Sequence, residues 1–327
     1  MNLFTFCIAK VVCKYMQDFL TRLQLRHFRL IHAIAEYGQL SLAADRLAIT
    51  QPAASRTLSE VERLVGAAVF ERHPKGMTPT QIGEALIRHS GILLHGLDQA
   101  ASELSAYRAG RSGSVRVGAV TGAAVGFVVP AIQALKRETH DAHVRVDVDP
   151  SVDLMTGLLN REYDFVLSRV PPGYDTQELQ VLQGRVEHLE ILVRSGHPLL
   201  REKGLGLAAL RDYPWVLQSP GMPIREAIVQ AHLSLGQTPP QDVIDSTSLL
   251  VMMAYLRTSD AISPAAREVA ELVKGSDSAG FSSLDLRSKF TMSPYHLIQL
   301  KGRKLNPIAE RLLNLVQAIL SHPDRQS

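Results

Sequence analysis

Gln51, Pro52, Ser55, Arg56 and Ser59 crowd into one short stretch of the chain. Gln and Ser exchange hydrogen bonds with base edges, and an Arg guanidinium bonds a guanine edge or a phosphate through two parallel donors. Gathered at the start of a helix, where free N–H groups and the dipole favour anions, such a set suits a major groove and its phosphates. A second set is dispersed: Thr121, Gly122, Ser151, Ser168, Arg169, Ser219, Thr247 and Ser263 each follow an expected strand. Hydroxyls and free backbone N–H groups there suit a carboxylate or a polyhydroxyl compound, and Arg169 is the one charged candidate for an anion. Any one of these residues taken singly reads as a helix cap; recurrence after nearly every strand points to a pocket, although α/β folds place caps there routinely.

The elements that must position the first set are legible. Residues 41–64, SLAADRLAITQPAASRTLSEVERL, divide into two helices separated by Ala48-Ile49-Thr50. Ser41 is expected to cap the first and is counted with the DNA-facing set; Thr50 is expected to cap the second, with Pro52 in its first turn. Ala43, Ala44, Ala53 and Ala54 allow a close crossing, and Ala54, Leu58, Val61 and Leu64 form one apolar face opposite the polar one. This predicts a helix-turn-helix; an ordinary helical hairpin with a solvated face is the competing reading. Val69–Arg72, a turn over His73–Gly76, and Met77–Pro79 then read as a wing with Arg72, His73 and Lys75 near its tip, suited to phosphates or a minor groove. Leu25–Tyr37 precedes these as a supporting helix stopped by Gly38.

From Thr80 to Ala109 the spacing of Leu86, Leu93, Leu97, Ala101 and Leu104 predicts a helix of about 30 residues, roughly 45 Å long. That is too long to bury its stripe on so small a domain, so it is expected to pair with a second copy. This order of elements, with the words AADRL, TQPAASR, LVGAAVFER and MTPTQIGEAL, resembles the LysR-type transcriptional regulators from Leu25 to Leu86 and more loosely to Leu320. The wording is nearest the branch that includes galactose-binding-protein and protocatechuate-pathway regulators. The resemblance implies a double-stranded DNA operator, a homodimer or homotetramer, contact with RNA polymerase, and a two-lobed domain for a small-molecule inducer, a sugar or an aromatic or organic acid. It also supports Thr121 as an inducer contact.

The whole chain fits this division. At 327 residues, 46% hydrophobic and 20% charged, it has an ordinary globular composition with room for two or three compact units. Its net +3 is uneven: residues 1–110 hold 12 Lys+Arg against 9 Asp+Glu, and residues 111–327 hold 23 against 23. The excess positive charge therefore lies on the segment assigned to DNA. Cys7 and Cys13 build no disulfide framework or zinc set, and a cytoplasmic chain keeps both reduced. Leu3–Val12 is apolar but too short to span a bilayer and lacks the layout of a signal peptide. Residues 1–15 are expected to stand outside the functional fold, with translation starting at Met16.

After the hinge Ala109–Ser114 the pattern alternates. Strands are expected at Ser114–Val120, His143–Val148, Asp164–Leu167, Val186–Val193, Trp215–Leu217, Val243–Asp245, Ala261–Ile262 and Tyr295–Leu300, with helices at Phe127–Thr139, Val152–Asn160 and Pro307–Leu320. The expected fold class is α/β: an all-α winged helix-turn-helix domain, a long linker helix and a two-lobed effector domain like a periplasmic binding protein. The boundaries are an extension 1–20, DNA-binding domain 21–80, linker 81–110 and effector domain 111–323. Lobe 1 takes 111–172 and 293–323 and lobe 2 takes 173–292, with crossings near Pro171–Gln177 and Ser288–Pro294. No metal, cofactor, membrane partner or catalysis is expected: Gly204–Ala209 only imitates a dinucleotide fingerprint, and no G-x-S-x-G, P-loop or H-E-x-x-H occurs. Two other classes remain open, a solute-binding protein with an incidental helical front and a small-molecule enzyme on the two lobes.

Overall fold

The computed structural model describes residues 22–108, 113–275 and 280–321. The expected extension with Cys7, Cys13 and the Met16 start, and residues 109–112 of the hinge, lie outside the described residues. The chain divides into two compact units, the first holding residues 1–109 and 159–162 and the second the remainder.

The first unit begins with α1 (Leu25–Tyr37), α2 (Leu40–Arg46) and α3 (Gln51–Val65). The α1 helix ends at Gly38, whose φ of 66° places it in the left-handed region that glycine enters without a Cβ penalty. Thr50 caps α3 by accepting from the N–H of Ala53, as its position predicted. Ser41 does not cap α2: the helix starts one residue earlier and Gln39 takes the cap position. The apolar face of α3 is buried at Ala54, Leu58, Val61 and Leu64, packed with Leu30, Ile31, Ile34, Ala43 and Ala44. With only methyl groups at Ala43, Ala44 and Ala54, close packing of α2 and α3 strains no rotamer.

The wing is β1 (Phe70–His73) and β2 (Gly76–Pro79), antiparallel and closed at His73 opposite Gly76. Its two-residue loop is tighter than the four-residue turn expected. Gly76 has φ of 141°, and a Cβ there would lie 2.5 Å from the carbonyl oxygen of Gly38. That oxygen accepts from the N–H of Met77 at 2.8 Å, so the wing docks on the end of α1 through a backbone approach only glycine permits. The long α4 (Gln81–Arg108) follows, capped by Thr80, whose Oγ1 accepts from Gly83.

The second unit opens with β3 (Ser114–Ala119), then α5 (Thr121–Ala123), a π-turn Ala124–Val128 and α6 (Val129–Glu138) run end to end. This helical segment starts six residues earlier than expected, because two glycines in GAAVG made the stretch read as a loop. Then come β4 (His143–Val148), α7 (Ser151–Leu159), β5 (Phe165–Ser168) and a long β6 (Leu179–Arg194). Next are β7 (Trp215–Leu217), α8 (Pro223–Ser234), β8 (Val243–Asp245), α9 (Leu249–Thr258), β9 (Ser263–Ala266), α10 (Arg267–Lys274), β10 (Phe281–Ser283), β11 (Phe290–Leu300) and α11 (Pro307–Ser321).

Strands β3, β4 and β5 are parallel, and the sheet order is β10-β6-β11-β5-β3-β4, with β9 also on β6. The crossing expected near Pro171–Gln177 is made further on, inside β6, and the one expected near Ser288–Pro294 falls in the first half of β11. Leu182 of β6 and Leu297 of β11 pack in one core with Val117, Phe165 and Leu312, whereas Ile191 and Phe290 pack in another with Trp215, Leu217 and Ile228. Two long strands thus serve both lobes, and β11 shifts register between Met292 and Tyr295, around Pro294, which donates no ladder bond. The strand expected at Ala261–Ile262 runs instead over Ser263–Ala266, antiparallel to β6, with Pro264 opposite Ile191.

Candidate nucleic-acid interface and effector cleft

On α3 the side opposite the core is open. Gln51, Pro52, Arg56 and Ser59 are exposed and Ser55 is half-buried, all within the first three turns. Ser55, Arg56, Ser59, Glu60 and Arg63 line one shallow groove on this surface. Arg56 makes no ion pair among the described residues, so its five donors stay available to an outside acceptor. Arg72 and Lys75 are exposed on the wing, Arg72 on β1 and Lys75 in the loop, while His73 is held by Thr78 at 2.9 Å. Ser41 lies half-buried inside α2.

One buried histidine supports this surface. His27 of α1 is 1% exposed; its Nδ1 accepts from the N–H of Gln24 at 3.0 Å and its Nε2 lies 3.5 Å from Glu60. Burial pulls its pKa down, against the pull of Glu60, which agrees with an Nδ1 that must stay unprotonated to accept.

In the second unit a cleft of about 420 Å³ opens beside the carboxyl ends of β3, β4, β5, β7 and β8. Six of the expected residues meet there: Thr121, Gly122, Ser151, Arg169, Thr247 and Ser263. Ser168 and Ser219 are not among the lining residues. Ser168 is fully buried with its hydroxyl donating to the carbonyl of Arg169, and at the end of β7 the neighbour Gln218 lines the cleft in place of Ser219. Ser263 is 2% exposed and its hydroxyl is spent on the carbonyl of Val216 at 2.8 Å. Residues that sequence reasoning missed are Asp149, Glu187 and Gln218, and the apolar wall Met222, Met252 and Met292. Asp149 and Gln218 carried a sequence signal, each standing directly after an expected strand.

Arg169 is not an open cation. Its guanidinium pairs with Glu187, their side chains 11% and 4% exposed, and its Nε donates to the carbonyl of Ser293 at 2.9 Å. Its backbone N–H donates to Ser151 Oγ at 3.3 Å. One residue, through its side chain and its backbone N–H, therefore ties β5, α7, β6 and β11 together at the floor of the cleft.

Behind that floor lies Glu268, the second residue of α10. A Cβ on Gly122 would come within 2.4 Å of Glu187 Oε1 and 3.4 Å of Glu268 Oε2, so both carboxylates press on a helix start that only glycine leaves open. Glu268 Oε2 is buried without a hydrogen-bond partner among the described residues. Burial pushes its carboxyl above the usual range, and Glu187 beside it adds to the push. The folded chain therefore keeps this proton to higher pH than the unfolded chain, and stability is lost as pH rises through that window. Glu268→Gln is expected to be more stable than the parent near pH 8, with the gap closing towards about pH 4. Urea melts of both proteins across that range read it, and a gap independent of pH would contradict the assignment.

Comparison with known proteins identifies both parts of the chain. Residues 25–84 match the family model described as bacterial regulatory helix-turn-helix protein, lysR family, and residues 108–321 match the LysR substrate binding domain. The chain is 35% identical over 298 residues to the HTH-type transcriptional regulator GbpR of Azospirillum brasilense, covering 91% of this chain and 86% of that protein. It is 28% identical to the regulator PcaQ of Agrobacterium fabrum, covering 74% of this chain and 78% of that one. Among solved structures, the crystal structure of the LysR family regulator CbnR aligns over 92% of this chain and all of that one, with a TM-score of 0.63 at 20% identity, a likeness of fold. No helix among the described residues is long and apolar enough to cross a membrane.

Proposed function

The chain belongs to the LysR family of DNA-binding transcriptional regulators, and on that premise we propose how its two sites divide the work. The N-terminal face of α3, with Gln51, Pro52, Ser55, Arg56 and Ser59, reads base edges in the major groove of an operator, and Arg72 and Lys75 of the wing hold backbone or minor groove. The 420 Å³ cleft takes the small-molecule inducer, a sugar or an organic acid. Because the cleft lies where β6 and β11 carry the chain between the two cores, a ligand that prefers one lobe arrangement biases the whole domain. The observation that carries the DNA assignment is the exposed, unpaired Arg56 at the open start of a helix whose other face is fully buried.

The division at residues 20, 80 and 110 completes this reading, with the two lobes exchanging inside β6 and β11. So do a cytoplasmic location, contact with RNA polymerase and the lack of a catalytic role. The stripe on α4 supports a homodimer or homotetramer: Leu93, Leu97 and Leu104 are 49%, 50% and 63% exposed. Sedimentation equilibrium is expected to give a dimer or tetramer, and a monomer at micromolar concentration would contradict it.

Gel shifts on the DNA upstream of the chain's own gene, across a salt series, test the proposal. Specific binding is expected to fall steeply with salt. Arg56→Ala is expected to lose about 1–3 kcal/mol of binding and to relax preference at one base pair. Unchanged operator preference in that variant would remove Arg56 from the reading set.

A further inference from the structure

The charges around the cleft say which of the two inducer classes it accepts. The charged residues lining it are Asp149, Arg169 and Glu187, one cation and two carboxylates. The cation is already spent on Glu187, in a pair whose two side chains are almost wholly buried. On α8, the guanidinium of Arg225 is likewise engaged, by Asp245 and the carbonyl of Gln218. Two of the nearby helix starts are also answered: Ser248 Oγ accepts from Val251 in the first turn of α9, and Gln218 Oε1 accepts from Ile224 in the first turn of α8. A free carboxylate entering this cleft would meet net negative charge and no unengaged cation among its lining residues. A carboxylate reaching the remaining donors of Arg169 would have to share one largely buried cation with Glu187, and repulsion between the two carboxylates offsets what the new pair returns.

What the cleft offers instead is hydrogen bonding without net positive charge, beside an apolar wall. Thr121 and Thr247 are exposed hydroxyls, and Gln218, whose Oε1 accepts from the N–H of Ile224, keeps an amide NH2 to donate. Met222, Met252 and Met292 supply polarisable apolar surface. Resting on the reading of this cleft as the effector site, we propose that it takes an uncharged, hydroxyl-bearing ligand with one apolar face, and that the Arg169–Glu187 pair excludes free carboxylates.

Calorimetric titration of the full-length protein with matched probes tests this: glucose against glucuronate, galactose against galacturonate, benzyl alcohol against benzoate. At least one neutral probe is expected to bind, and about tenfold or more tighter than its acid. Glu187→Gln leaves Arg169 without its counter-ion, and the acid-to-neutral affinity ratio is expected to move about tenfold or more towards the acid. An acid that binds the parent protein as tightly as its neutral partner overturns the proposal while leaving the cleft as the effector site. So does an unchanged ratio in a folded Glu187→Gln variant. Should that variant fail to fold, the comparison on the parent protein decides alone. Operator binding intact with no uptake of any probe would overturn both the proposal and the reading of the cleft on which it rests.

Discussion

Arg169→Met is expected to lower the stability of the effector domain by about 3–5 kcal/mol, because it leaves Glu187 charged, buried and without its partner. For a domain of this size that corresponds to roughly 6–20 °C in the midpoint of its thermal transition. The size follows from burial: the same pair on an exposed surface would contribute at most about 1 kcal/mol. Arg169 also donates to Ser293 in the irregular part of β11 and takes Ser151 Oγ on its backbone N–H, so the loss falls where the two lobes meet. The double change Arg169→Met with Glu187→Gln removes the orphaned charge and is expected to recover most of the loss. Thermal melts followed by circular dichroism read all three proteins. A single variant as stable as the parent, or a double variant no better than the single, would show that the pair does not hold the floor of the cleft.

Leu58→Ala is the second large effect, expected to cost about 2–5 kcal/mol. Leu58 is wholly buried at the centre of α3, against the core of α1 and α2, and the unit it stabilises is small. Operator binding is expected to fall with it although Leu58 touches no base, because Ser55, Arg56 and Ser59 are aimed by the turns on either side. Ligand uptake in the second unit, measured by calorimetry, is expected to stay as in the parent. Operator affinity within about threefold of the parent at 25 °C, a difference below 1 kcal/mol, would mean the recognition helix is held by something other than this contact.

Much of the first unit could be read from local rules. The ends of α1, the cap and buried face of α3, and the wing all follow from residues a few positions apart, since capping and helical periodicity act over that range. The exception is Ser41, where a hydroxyl suited to a cap sits one turn position inside α2, beyond what propensity alone fixes. In the second unit the parallel β3-β4-β5 core was legible from alternation of strand and helix, and six of eight expected pocket positions meet in one cleft because strand ends in such sheets converge.

What remained hidden depended on contacts between residues far apart in sequence. The full length of β6 was masked by Gln180, Gln183 and Arg185, polar residues whose partners lie far along the chain: Gln183 donates to the carbonyl of Leu320, and Arg185 lies over the ring of Phe127. The early start of the helix at Thr121 was masked by Gly122 and Gly126, which are small because Glu187, Ala266 and Glu268 pack against them. The sequence by itself determined the helix-turn-helix, the order of elements and the family, all carried by short-range pattern. Only the tertiary structure decided the character of the cleft, because a charge is defined by its partner, and Arg169 meets Glu187 across 18 residues of chain.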